Sequence, residues 1–373
     1  MPNQGRVLAF PARHIAKPLS RAEALARAEA YLAIPAEKRT TLSESTHLED
    51  AEMLSSIFAV LRDRLNVVPA EVFAEAKSLY DWLSVPRRAV GFFDESDYFR
   101  GESALLAGGA ARLLGSREET ERWLDRADAC FRHTINPAPM LARVAYTRLA
   151  LKFDMRRYEE VAELVPSLHL TFGKLAMAED YWKCRFLEAM TLKDMGNLDG
   201  AVGAFEEIAC GAQLPVDDAL KGLALINLGN VRSGQGNHEL ALMAYSEALP
   251  FLKSANRPLS LADLKAMVAE TLALLGKVDQ AIQAYREAVA DYVLLGSTTR
   301  VAYLRLVLAE VLVGAGRHRE AEWEVAAALP TIDAEKMVPE GFAAVALLRE
   351  SVRQRKANPQ ALSELRQYLQ TTN

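Results

Sequence analysis

Reactive and membrane-seeking features are scarce in this 373-residue chain. It has three cysteines, Cys130, Cys184 and Cys210, far apart and with no CxxC pair. That removes a zinc ribbon and a thioredoxin-like redox pair. All three are expected to be small buried hydrophobes in a reducing compartment. No apolar run approaches the roughly 20 residues of a membrane span, and "VLAF" (7–10) is too short for a signal-peptide core. The expectation is a cytoplasmic protein with no membrane partner. A basic excess is missing too: the formal net charge is −5, which argues against a dedicated nucleic-acid binder.

Catalytic signatures are equally thin. HExxH, GxSxG, GxxxxGK[ST] and a strand-borne GxGxxG do not occur. The six histidines, His14, His47, His133, His169, His238 and His318, are scattered. His238 and His318 share a repeat position but lie two repeats apart, too far for one metal, and read as solvated turn residues. "AGGAARLLG" (107–115) sits inside an apolar helix pattern and reads as close helix packing, not phosphate binding. The pairs Glu159–Glu160 and Glu206–Glu207 fall on polar helix faces. The expectation is a non-enzyme without cofactor or metal.

What is present is repetition. "MRRYEEVAELV", "MGNLDGAVGAF", "QGNHELALMAY", "LGKVDQAIQAY" and "AGRHREAEWEV" start at residues 155, 195, 235, 275 and 315, a step of 40 each time. Gly196, Gly236, Gly276 and Gly316 share a column, with Arg156 in the first copy. Glycine there allows the positive φ that ends one helix and reverses the chain. Ala201, Ala241, Ala281 and Ala321 (Val161 before them) mark a close helix crossing; Phe205, Tyr245 and Tyr285, flanked by Val165 and Val325, lie one turn on. Ala248, Ala288 and Ala328 form a fourth column. Val278, Ala281, Ile282, Tyr285, Ala288, Val289 and Tyr292 make one apolar stripe, with Asp279, Gln280, Gln283, Arg286 and Glu287 facing away, which is a helical period. A second apolar helix precedes each glycine, where Ala189, Gly229, Ala269 and Ala309 again step by 40. A helix–turn–helix unit cannot bury both faces alone, so the copies must stack.

The ends break the metre. Residues 1–18 read as a disordered tail. Helices are expected at 20–34, with Ser20 and Glu23 as a capping box, at 47–65, and at 69–84 with Pro69 in its first turn. "GFFDESDYFRG" (91–101) reads as a hinge or a partner-docking segment. The organisation expected is an N-terminal helical region over 19–100, an array of about six hairpins over 101–335, and C-terminal capping helices over 336–373, broken near Asn358-Pro359. Pro166 should shorten or kink its helix, and Pro250 and Pro330 fall where a second helix should end or bend.

These residues resemble the tetratricopeptide repeat family, most clearly in "LINLGNVRSGQGNHELALMAYSEAL": Leu225, Leu228 and Gly229, then Gly236 and Asn237, then Ala241, Tyr245 and Ala248. The family's usual unit is about 34 residues. This chain is similar to its 40-residue subclass, in which longer helices or linkers absorb the excess. The resemblance implies an all-α fold, a right-handed superhelical solenoid whose first helices line a concave groove. Transferred by register, that groove carries Arg143, Tyr146 and Thr147; Lys183, Phe186, Leu187 and Met190; Asn227 and Asn230; Asp263, Met267 and Glu270; and Tyr303 and Glu310. Asparagine amides suit the backbone of an extended peptide, and a gradient from Arg143 and Lys183 to Asp263, Glu270 and Glu310 would orient one. Acidic residues where the family's carboxylate clamp has cations argue against a chaperone-tail clamp. The implied function is a non-catalytic scaffold or adaptor for a protein or peptide. In layout, not motif, the chain also resembles the Rap-type peptide-sensing regulators. A third reading, a DNA-reading bundle, has only Arg62, Arg64 and Lys77 over 47–84 to support it.

Overall fold

The structure is a computed structural model that describes residues 21–34, 51–84, 96–211, 215–334 and 360. The expected N-terminal tail, the Ser20 cap, "GFFDE" (91–95) and, Gln360 apart, the C-terminal capping segment lie outside those residues. Among the described residues there are only helices and turns, and no helix is long and apolar enough to cross a membrane. The chain divides into two compact units, 1–157 and 158–373.

The first unit holds α1 (Arg21–Leu32), α2 (Ala51–Arg64), α3 (Pro69–Leu83), α4 (Ser96–Leu113), α5 (Arg117–Phe131) and α6 (Ala138–Asp154). Pro69 opens α3 at a position where a missing N–H costs nothing. Leu54, Ile57, Phe58 and Leu61 recur at helical spacing on α2 and are all buried. They share one core with Phe99, Trp123, Leu124, Phe131 and Val144, so the three N-terminal helices and the next three bury their apolar faces together. Ser96–Gly101, the described part of the aromatic–acidic segment, is the start of α4, and Phe99 stacks on Phe58 with ring centroids 6.0 Å apart. Small residues set the α4–α5 approach. A Cβ on Gly101 would lie 2.4 Å from the Phe131 ring, and one on Gly108 would lie 3.0 Å from the Leu124 side chain. The glycine-rich stretch is therefore a packing surface.

The second unit holds α7 (Tyr158–Lys174), α8 (Ala178–Asp194), α9 (Leu198–Cys210), α10 (Asp218–Gly234), α11 (His238–Ser254), α12 (Pro258–Leu274), α13 (Val278–Leu294), α14 (Thr298–Gly314) and α15 (His318–Ala334). The helix starts are evenly spaced from Tyr158 to His318, and each helix packs on the next. All but α9 share one length, 17 residues. The excess over the usual family unit therefore lengthens helices; the linkers between hairpins are as short as the turns within them. Those turns are three residues long except after α9, and their second residue is left-handed in every case. Gly196, Gly236, Gly276, Gly296 and Gly316 take that conformation; so do Ala176 and Asn256. At Gly276 the geometry is a Schellman close: its N–H donates to the Ala273 carbonyl and the Lys277 N–H to the Leu272 carbonyl. Val278 then begins the next helix without spare residues.

Three of the four columns are buried as their spacing requires, while the glycine column lies exposed in the turns. Ala201, Ala241, Ala281 and Ala321 are fully enclosed, as are Phe205, Ala248, Ala288 and Ala328. Gly229 shows why the small-residue column of the first helices exists: a Cβ there would lie 2.3 Å from the Tyr245 ring. The prolines do not end their helices. Pro166 and Pro250 lie inside α7 and α11, which run on to Lys174 and Ser254, and α15 likewise runs past Pro330 to Ala334. Pro166 and Pro250 are on exposed faces, where water can take the carbonyl that proline leaves without its N–H partner.

Candidate binding face on the first helices

In the second unit α8, α10, α12 and α14 are the first helices of successive hairpins, and α10 packs directly on both α8 and α12. Their register places Lys183, Leu223, Asp263 and Tyr303 in one row, and Met190, Asn230, Glu270 and Glu310 in another. Lys183 and Glu270 are exposed; Phe186, Met190, Asn227, Asn230, Asp263, Tyr303 and Glu310 are half-buried. Leu187 is buried and belongs to the packing. Arg143 and Tyr146, both half-buried, stand on α6 in the first unit.

The two asparagines are oriented by the fold. The Tyr245 hydroxyl, from α11, donates to Asn230 Oδ1 at 2.7 Å. Burial pushes that phenol up to about 12, so it stays a donor at ordinary pH. Asn230 therefore turns its Nδ2, with two N–H donors, away from the tyrosine. One turn earlier Asn227 does the reverse: its Nδ2 donates to the Leu223 carbonyl at 2.9 Å, which leaves Oδ1 as the outward acceptor. One donor and one acceptor, three residues apart on α10, match the carbonyl and N–H of a main chain.

Several charges on this face already have partners. Lys183 pairs with Glu179 one turn back. Asp263 accepts from Tyr292 Oη and from Arg300 on the next first helix. Arg300 was absent from the sequence-based set; a basic residue three positions before Tyr303, within reach of an acidic neighbour one hairpin back, was the available signal. With Lys183 and Asp263 both ion-paired, the charge gradient along this unit is shallower than the bare sequence suggests. Phe186 meets Phe205 edge-on at 5.7 Å, and Met190 Sδ lies 3.8 Å from Lys193 Nζ.

Among the described residues no cluster of three or more His, Cys, Asp or Glu side chains could hold a metal. Cys130 and Cys184 are buried as expected, and burial with nearby Glu188 and Asp180 raises the Cys184 thiol to about 12. Cys210 departs from expectation: it is exposed at the end of α9, where the chain leaves the helix through Gly211. His169 stacks on Tyr181 at 3.9 Å between ring centroids, and burial lowers its pKa. His238 and His318 are the first residues of α11 and α15, partly covered and not freely solvated. Glu206 and Glu207 reach neighbouring helices, pairing with Arg232 and Arg185.

Comparison with known proteins bears on the fold. The chain has a TPR-like fold. No protein-family model matches the sequence, and no curated protein does. Among solved structures it is similar to aspartyl phosphate phosphatase F from Bacillus subtilis, with TM-score 0.53 and 14% identity, covering 92% of this chain and 98% of that one. It is also similar to the Rap conjugation gene regulator of the plasmid pLS20 in complex with the Phr* peptide: TM-score 0.52, 14% identity, 95% and 96% coverage. A third is a signal-transduction ATPase with a tetratricopeptide repeat sensor from Pyrococcus horikoshii, with TM-score 0.57, 12% identity, and 89% of this chain against 54% of that one.

Proposed function

We propose that this protein is a non-catalytic adaptor that holds an extended peptide or protein segment along the first helices of its repeat array. The observation that carries the reading is the opposed orientation of Asn227 and Asn230. Each amide commits one end to the fold and offers the other to a ligand. That polarity suits a peptide main chain, whose own donor and acceptor must be met when it leaves water. Phe186, Met190 and Met267 beside them are half-buried and would receive apolar side chains. Lys183 and Glu270, exposed on α8 and α12, would read charge at the two sides of this contact.

Relatives in fold add support. The pLS20 regulator is a structure with a bound peptide, and its likeness runs through 95% of this chain, the first unit included. A second reading follows: a peptide-sensing regulator in which binding on the array alters what the first unit does. The test is direct. The full chain would be used to capture partners, and segments of a captured protein would be titrated as peptides. Asn230→Ala and Asn227→Ala should each weaken a binding peptide by about 5- to 10-fold, the worth of one main-chain hydrogen bond. Unchanged affinity in both variants would remove this face from the function. If peptide binding also altered hydrogen exchange in the first unit, the sensing reading would stand over the plain adaptor.

A further inference from the structure

The second helices carry a feature that folding does not require. A groove of about 530 Å³ opens between α13 and α15, walled by Val289, Val293 and Leu294 and by Trp323, with Leu308 of α14 as its floor. Leu294 is 86% exposed, Trp323 61% and Val293 55%. One hairpin earlier, in the same backbone metre, the matching positions are Ser254, Gln283 and Lys253. The same helix packing is thus achieved there with a polar rim, so the apolar rim here answers to something outside the hairpin.

The groove is also held in shape. Glu324, only 4% exposed, stands where Ala284 stands one hairpin earlier. Arg305 of α14 pairs with it at 2.7 Å and lies 5.1 Å from the Trp323 ring centroid. A buried ion pair is a weak source of stability. Here it fixes an arginine under an exposed indole, and tryptophan and arginine are the residues that anchor interfaces.

We propose that this groove joins two copies of the chain across a two-fold axis, Trp323 of each filling the cavity of the other. Two observations select a second copy. The patch holds a projecting ring and a cavity side by side, which is the self-complementarity that an isologous contact needs. Its charges also cancel: Arg286 pairs with Glu320, Arg305 with Glu324, and Arg317 with Glu320 and Asp279. Two chains of net charge −5 repel in general, and a patch neutralised within each copy is where they meet without that cost. The groove uses residues 305 and 308 of α14, whereas the proposed peptide face uses 303 and 310, so the two readings stand or fall separately.

Sedimentation of the full chain over a concentration series tests the idea. The wild type should show a dimer mass. Leu294→Glu, at a side chain almost wholly in solvent, should raise the dimer dissociation constant at least 100-fold with helical content unchanged. Trp323→Lys should do the same, and Leu170→Glu, an exposed leucine on α7, should leave dimerisation intact. A wild type that stays monomeric at about 100 μM, or a Leu294→Glu variant that dimerises like the wild type, would overturn the proposal. So would a monomeric wild type that holds a different protein through Trp323.

Discussion

The two units bury comparable helices by different rules. In the first, six described helices run from 12 to 18 residues, with joints of unequal length, around a single aromatic core of Phe58, Phe99, Trp123 and Phe131. In the second, eight of nine described helices are of one length, and the core is a ladder of small residues facing a column of Val165, Phe205, Tyr245, Tyr285 and Val325. The first arrangement makes each helix answerable to several others at once. The second makes it answerable only to its neighbours, and stability becomes a sum of local terms.

The sharpest way to break that contrast is to overfill one contact in each unit. Gly101→Ala and Gly229→Ala both drive a methyl into a ring, Phe131 or Tyr245, and each should cost about 3 kcal/mol. Their reach should differ. Hydrogen exchange in the Gly229 variant should rise mainly in α8 to α12, whereas the Gly101 variant should loosen all of α1 to α6. Equal spread in both would erase the distinction. Next in size, Ala281→Leu should destabilise by about 2 kcal/mol. Gln283→Leu, exposed two residues on, should stay within about 0.5 kcal/mol by chemical denaturation.

A smaller effect tests the joints. Gly276→Ala places a Cβ at φ 73° and should cost about 1 kcal/mol. Ala176→Gly, at φ 55°, should gain up to about 1 kcal/mol, because there the native residue carries the strain. Thiol reactivity gives a readout independent of stability. Cys210 should label quickly in the folded protein, and Cys184, with its thiol at about 12 and no exposure, only on unfolding.

The smallest effect is electrostatic. Arg317 and Arg286 hold the Glu320 carboxyl at about 2, against an ordinary 4.5. The folded-state value is depressed, so the bridge between α13 and α15 is fully present above the ordinary value. It is lost as pH falls through about 2. Carboxyl titration by NMR should find Glu320 low in dilute buffer and closer to its ordinary value in molar salt.

How far the sequence could be read follows the same divide. A column that recurs once per hairpin announces itself, so Gly276, Ala281 and Tyr285 could be placed in turn, crossing and core from spacing alone. The first unit has no metre, and its helices were legible only individually; that Phe99 and Phe58 share a core with Phe131 depends on contacts that no local pattern encodes. Pro166 and Pro250 marked places where a helix should shorten, kink, end or bend because the rule for proline is local, whereas both helices run on with the prolines on exposed faces. On the candidate face, residue types were readable and hydrogen bonds were not. Asn230 gains a direction only from Tyr245, on the helix that follows, and Asp263 acquires its arginine from the following hairpin.

Three-residue joints between helices of constant length have one more consequence. Every junction from α10 to α15 is interchangeable with its counterpart one hairpin on, since each turns through a left-handed residue at the same position, glycine in four of the five and Asn256 in the other. Excising or duplicating one whole hairpin within that stretch would rejoin ends of matching backbone geometry. The reach of the molecule is thus a quantity that inheritance can adjust in whole notches, without redesigning any seam.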